Sequence, residues 1–199
     1  MKNILIVPKV EQKHSEIYLS IDKNWLNFLK KIYKNFNLQI ALSSNQKPDL
    51  IIFAGGNDLI NFNSEKKNLY RHYLNTKFFN YGIRNKIKII GICAGAQFLA
   101  AKYSSKIVKI KKHVGHHQIF FNKKLIKKKY PKASNVNSFH NYGIKNLGVN
   151  LQQLAVAKDK TTEFFTHKKL KLVGIMWHPE RFKTFRKLDK KIFEDDLWN

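Results

Sequence analysis

The chain has 199 residues, 43% of them apolar, with one cysteine and a formal charge of +25. One cysteine excludes an intramolecular disulfide framework and fits a reducing compartment, and no apolar run approaches the ~20 residues of a membrane span. A soluble, cytoplasmic protein with a single domain over residues 1–199 is therefore expected. The excess of 38 Lys and Arg over 13 Asp and Glu would suit nucleic acid or another polyanion. The lysines are spread along almost the whole chain, however, which favours a solvated basic surface over a dedicated nucleic-acid site.

The first predicted strand lies in Met1 to Pro8, whose apolar run is too short for a signal-peptide core and is cut by Pro8. Val10 to Ile21 is polar and mixed, and reads as a loop with a short helical turn lying over the strand ends. Asp22 offers an N-cap to an amphipathic helix in which Trp25, Leu26, Phe28, Leu29, Ile32, Tyr33 and Phe36 recur at helical spacing. Leu38 to Leu42 is a second strand. Leu50 to Ala54 is a third, apolar without alternation as a parallel strand buried on both faces should be. It ends in Gly55-Gly56-Asn57-Asp58, a turn whose backbone N–H groups can face a ligand at the edge where open α/β sheets place their sites. Asn61 to Ile83 carries one helix or two and leads into a strand over Ile87 to Ile92.

At the end of that strand, Gly91-Ile92-Cys93-Ala94-Gly95-Ala96-Gln97 reads as strand, sharp turn and helix, with the lone thiol at the turn. Such an elbow exposes a nucleophile, and unpaired N–H groups at a helix start favour a thiolate. A small buried core cysteine is the alternative for this motif alone.

Lys106 to Ile110 and Gln118 to Phe121 read as short strands, with Val114-Gly115 turning between them. His113, His116 and His117 raise the question of a metal. No Cys, Asp or Glu accompanies them nearby, and strand periodicity points His116 and His117 to opposite faces, so structural or surface roles and no metal are expected. Lys106 to Lys132 contains no acidic residue and includes the lysine run 127–129. Asn135 to Gly143 is a polar strand-to-loop passage. Leu151 to Ala157 and Glu163 to Thr166 are further strands, the latter placed at the sheet edge, and Leu170 to Trp177 is the last. Lys187 to Trp198 is a candidate terminal helix.

The last strand delivers His178-Pro179-Glu180-Arg181. Proline holds His178 extended, and Glu180, two residues on, can lie beside it to orient the imidazole. Together with the Cys93 elbow and the Gly55-Gly56 turn, the segment points to a nucleophile, a base and an orienting carboxylate.

The Cys93 and His178 segments resemble the two signature segments of the class I glutamine amidotransferase superfamily. With Gly55-Gly56-Asn57-Asp58 and Val136-Asn137-Ser138-Phe139-His140, the pattern is similar to its γ-glutamyl hydrolase branch over essentially the whole chain. The resemblance implies a flavodoxin-like, doubly wound α/β fold, its mainly parallel sheet flanked by helices, with a small antiparallel extension. It implies a Cys93-His178-Glu180 triad, a γ-glutamyl thioester and an oxyanion hole from the N–H groups of Gly56 and Ala94. Gln97, Asn141, Gly143 and His140 would contact the glutamyl group, with no cofactor. The expected substrate is a γ-glutamyl amine or a γ-glutamyl nucleotide amidate. The alternative is a glutaminase component feeding ammonia to a partner synthetase.

Overall fold

The computed structural model describes residues 1–41, 47–111, 113–126 and 130–194. Its frame is five parallel strands in the order β4 (Phe36–Ile40), β1 (Lys2–Val7), β5 (Leu50–Phe53), β6 (Lys88–Ile92) and β13 (Leu172–Ile175). Alternate residues of these strands feed two separate cores. Ile4, Ile6, Leu50, Ile52, Ile90, Ile92, Val173 and Ile175 face one way, towards Trp25, Phe28, Leu29 and Ile32 of α1 (Asn24–Ile32) and Ile192 and Phe193 of α5 (Lys187–Glu194). Leu5, Val7, Ile51, Phe53, Ile89 and Leu172 face the other, towards Leu74 and Phe78 of α2 (Lys66–Arg84) and Phe98 and Leu99 of α3 (Ala94–Lys102). Burial on both faces accounts for the unbroken apolar runs of the parallel strands.

Beyond β13 the same sheet continues antiparallel through β12 (Thr162–His167), β11 (Leu151–Ala157), β8 (Val114–Phe121) and β9 (Ala133–Phe139). β10 (Tyr142–Asn146) bridges β12 and β7 (Lys106–Lys109), and α4 (Lys123–Ile126) follows β8. The expected α/β architecture, a parallel core with an antiparallel extension, is therefore present. No helix among the described residues is long and apolar enough to cross a membrane.

Several local expectations are corrected. Val10 to Ile21 is a hairpin of β2 (Lys9–Lys13) and β3 (Glu16–Ser20), not a loop with a helical turn. Val10, Ile17 and Leu19 pack on the second core, so three apolar contacts specify a strand pair in a mostly polar segment. Helix α1 stops at Ile32, Tyr33 is already extended, and Phe36 opens β4, which ends at Ile40. The predicted end of that strand at Leu42 lies outside the described residues. The N-cap of α1 is Lys23 rather than Asp22, which stands one residue before it and accepts through Oδ1 from the Asn24 N–H at 3.0 Å. Val114 and Gly115 belong to β8, where Gly115 takes φ +109° within the strand, rather than turning into it. β12 is interior, paired on one side with β11 and on the other with β13. The lysine run 127–129 and the end of the predicted terminal helix, 195–199, lie outside the described residues.

Candidate active site

The site forms at the carboxyl ends of β5, β6 and β13. Cys93 follows β6 with φ 52° and ψ −110°, a left-handed conformation costly for a residue with a side chain and held by its surroundings. Its N–H donates to Ile175 O at 2.8 Å, and its carbonyl accepts from the Gln97 N–H at 2.9 Å, which begins α3. Gly95 allows this elbow to press on β5, since a Cβ there would overlap the Phe53 carbonyl.

β5 ends in the Gly55-Gly56 turn, where Gly56 takes φ +86°, a conformation that favours glycine. Asn57 fixes the turn to the β2–β3 hairpin. Its Oδ1 accepts from the Val10 N–H at 2.7 Å, and its Nδ2 donates to Val10 O at 2.8 Å and Asn68 Oδ1 at 3.1 Å. Below the turn, buried Arg71 donates from Nη2 to Ala54 O at 2.8 Å and from Nε to Asn75 Oδ1 at 2.9 Å. Burial drives this guanidinium down to about 9. Sequence reasoning missed Arg71, which reads there as one more cation in a polar helix.

His178 follows β13 in extended conformation, φ −106° and ψ 93°, as the succeeding proline requires. Glu180 lies in the 3-10 turn Pro179–Arg181 rather than in an extended segment. It still reaches the imidazole, with Oε1 2.7 Å from His178 Nδ1. A carboxylate accepts, so Nδ1 carries the proton and Nε2 is left for the Cys93 side. Burial alone would lower the His178 pKa; hydrogen bonds and charge from Cys93 and Glu180 outweigh it and hold the ring up at about 9. Asn137 secures the backbone beneath: its Oδ1 accepts from the His178 N–H and its Nδ2 donates to the His178 carbonyl, both at 2.8 Å. Asn137 stood in the polar stretch noted in the sequence, but this reciprocal bond was not foreseen.

Cys93, His178, Gly56, Ala94, Gln97, His140 and Asn141 line one cleft with Phe139, Tyr142 and Arg181. Gln97 is buried and donates to Tyr142 O at 2.9 Å, so its amide braces the cleft wall. Asn141 is exposed at the rim. Gly143 sits inside β10, where a Cβ would meet Ile110 and Thr161, and the cleft lining does not include it. His140 is in the wall, but its Nδ1 is 3.0 Å from Tyr142 O and its Nε2 is 3.8 Å from Glu163 Oε1. Its ring thus turns towards the antiparallel strands. The expectation that no carboxylate accompanies the histidines is also corrected, because the fold brings Glu163 of β12 against His113 and His117. His116 points away into solvent, as strand alternation requires.

A thiol, an imidazole held by a carboxylate, and backbone N–H groups at a helix start and a glycine turn together suit attack on a carbonyl. The chain belongs to the peptidase C26 family, of class I glutamine amidotransferase-like proteins, whose family model matches residues 39–180. It is 38% identical over 165 residues to a γ-glutamyl-CDP-amidate hydrolase of Campylobacter jejuni, covering 77% of this chain and 76% of that one. It is 25% identical to a glutamine-hydrolyzing GMP synthase component of Methanococcus aeolicus over 78% of this chain and 77% of the relative. Among solved structures, a glutamine amidotransferase from Thermotoga maritima superposes with a TM-score of 0.67 at 14% identity, over 90% of this chain and 76% of the other. A Thermoplasma acidophilum protein, provisionally described as a component of GMP synthase, gives 0.73 at 22% identity over 97% and 90%. These last two likenesses establish the fold.

Proposed function

We propose that the protein hydrolyses a γ-glutamyl amide-type bond through Cys93, His178 and Glu180, releasing glutamate. The observation that carries this reading is the strained Cys93 elbow sharing a cleft with an imidazole whose Nδ1 is held 2.7 Å from a buried carboxylate. Cys93 Sγ, its proton taken by His178 Nε2, attacks the γ-carbonyl carbon. The oxyanion that forms is met by the N–H groups of Ala94 and Gly56, an arrangement in which each donor is worth about 3–4 kcal/mol. The C–N bond breaks as His178 returns its proton to the departing nitrogen, leaving a γ-glutamyl thioester. Water then attacks with His178 as base, the C–S bond breaks, and glutamate leaves. Gln97 positions the wall against which the glutamyl group rests, and Glu180 keeps the imidazole in the required tautomer.

A γ-glutamyl nucleotide amidate is the substrate class best supported. The Campylobacter relative is named for one, and the mouth of the cleft suits an anionic, planar leaving group. Phe139 is 48% exposed there with the Arg181 guanidinium 5.0 Å above its ring, and Lys9 lies alongside Gly56. Both cations already carry a carboxylate, Lys9 that of Glu11 at 2.9 Å and Arg181 that of Asp22 at 3.2 Å, so their role is in the field at the mouth. A second reading, glutaminase supply of ammonia to a partner synthetase, is favoured by the GMP synthase relatives.

Incubation of the purified protein with γ-glutamyl amines, peptides and nucleotide amidates, with glutamate release followed, separates the two. Brisk turnover of a nucleotide amidate by the isolated chain is the expected result. Turnover of glutamine alone, rising when a synthetase is added, would replace the first reading with the second. No glutamate from any compound, with Cys93 reduced and the protein folded, would refute both.

A further inference from the structure

A second cluster of chemistry-bearing side chains lies behind the cleft and is used by no step above. Glu163, 1% exposed on β12, has neither carboxylate oxygen in a hydrogen bond. Around its Oε1 stand His113 Nδ1 at 3.5 Å, His117 Nε2 at 3.4 Å and His140 Nε2 at 3.8 Å. None of these three ring nitrogens has a hydrogen-bond partner either. His113 and His140 are more than nine-tenths buried.

The far nitrogens of two rings explain which atoms face inward. His113 Nε2 is 3.1 Å from Asp159 Oδ2, and His140 Nδ1 is 3.0 Å from the Tyr142 carbonyl. Carboxylates and carbonyls only accept, so those nitrogens carry protons, and in the neutral form of each ring the other nitrogen turns a bare lone pair towards Glu163. Lone pairs aimed at a carboxylate in a buried place repel unless a positive centre lies between them. An outer carboxylate or carbonyl on the second nitrogen is also the support that metal-binding histidines usually have.

The spacing agrees with this. The separations of 3.4–3.8 Å are too long for good hydrogen bonds, yet they are close to the edge of a tetrahedron with metal–ligand arms of ~2.0–2.2 Å, which is roughly 3.3–3.6 Å. The donor atoms of His113, His117 and Glu163 all lie within 4.8 Å of one another.

We propose that His113, His117 and Glu163, with His140 facing the fourth position, bind a divalent cation of the zinc class. Imidazole and carboxylate donors in a small tetrahedral site suit zinc or cobalt and exclude the larger, oxygen-rich shells of calcium. With four side chains converging, the site is closed and structural. It fastens the segment before β8, the start of β8 and the His140 turn to β12, and thereby the wall whose Tyr142 carbonyl receives Gln97.

The test is metal content after incubation with zinc and exhaustive dialysis. It is run on the wild type and on Cys93→Ala, which removes the thiol–imidazole pair as a competing zinc site. About one zinc per chain is expected in both, falling roughly tenfold in His117→Gln and in Glu163→Gln built on the Cys93→Ala background. His117→Gln changes a half-buried side chain and keeps the test open should the buried Glu163 variant fail to fold, with circular dichroism as the check. Cobalt in place of zinc should give the visible absorption of a tetrahedral ion, lost in the same variants. A folded Cys93→Ala protein that retains no stoichiometric zinc would overturn the proposal, as would zinc retained undiminished by folded His117→Gln.

Discussion

Replacing Gly55 by alanine tests the placement of the imidazole with a single methyl group. The backbone at Gly55 is outside the left-handed region, so alanine brings no conformational strain of its own. The obstacle is steric: a Cβ there would overlap His178 Cε1, sit 3.1 Å from Nε2 and 3.4 Å from Cys93 Cβ. Ordinary contact needs about 3.5–4.0 Å, so the ring must withdraw by roughly 1 Å. It cannot do so freely, because Glu180 holds Nδ1 and Asn137 holds the backbone. Overpacking of this kind costs about 1–3 kcal/mol, or a Tm lower by about 2–4 °C for each kcal/mol in a chain of this size. A misplacement of ~1 Å in a reacting pair costs about 100-fold in rate. Since Cys93 is the sole cysteine, its alkylation by iodoacetamide reports on the site without any knowledge of the substrate. Gly55→Ala should stay folded, lose about 100-fold in kcat with the best γ-glutamyl substrate, and shift the pH profile of alkylation. Wild-type alkylation and turnover in a folded Gly55→Ala protein would refute the geometry.

Removing the Asn137 side chain with alanine leaves the His178 N–H buried without a partner, at about 1–3 kcal/mol, and its carbonyl with the Arg181 N–H at 3.2 Å; urea unfolding should show the loss, and a fully stable, fully active variant would show that the pair does not matter. Arg71→Met keeps the bulk beneath the Gly55-Gly56 turn but frees Ala54 O, so kcat should drop by about tenfold with KM little changed, and steady-state kinetics decide it. His178 gives stability a defined pH dependence. Its pKa is raised in the folded state to about 9, so the associated stabilisation, about 3 kcal/mol for a shift from ~6.5, is fully present below pH ~6.5 and lost as pH rises through about 9. Denaturant unfolding across that window should show the decline, and Glu180→Gln should flatten it; a Glu180→Gln profile parallel to the wild type would remove Glu180 as a source of the raised value.

The sequence by itself determined the parallel strands and the reactive segments. Leu50 to Phe53, and Ile89, Ile90 and Ile92, are apolar because each of these residues meets one core or the other, a requirement visible in any short window. The elbow and the His178-Glu180 pair were legible for the same reason: a glycine that admits close backbone approach and a carboxylate two residues from its histidine are local relations. The β2–β3 hairpin was not legible, since its few apolar contacts are diluted by charged residues facing solvent.

What tertiary structure alone decided is which polar groups meet. Apolar periodicity encodes which side of a strand is buried but not the partner waiting there, and partners are chosen by sheet order and register. Thus Asn137 reaches the His178 backbone across 41 residues, and Arg71 reaches Ala54 from the middle of a polar helix. Glu163, which in sequence stands far from every histidine of its cluster, joins three of them only because β12 lies inside the sheet rather than at its edge.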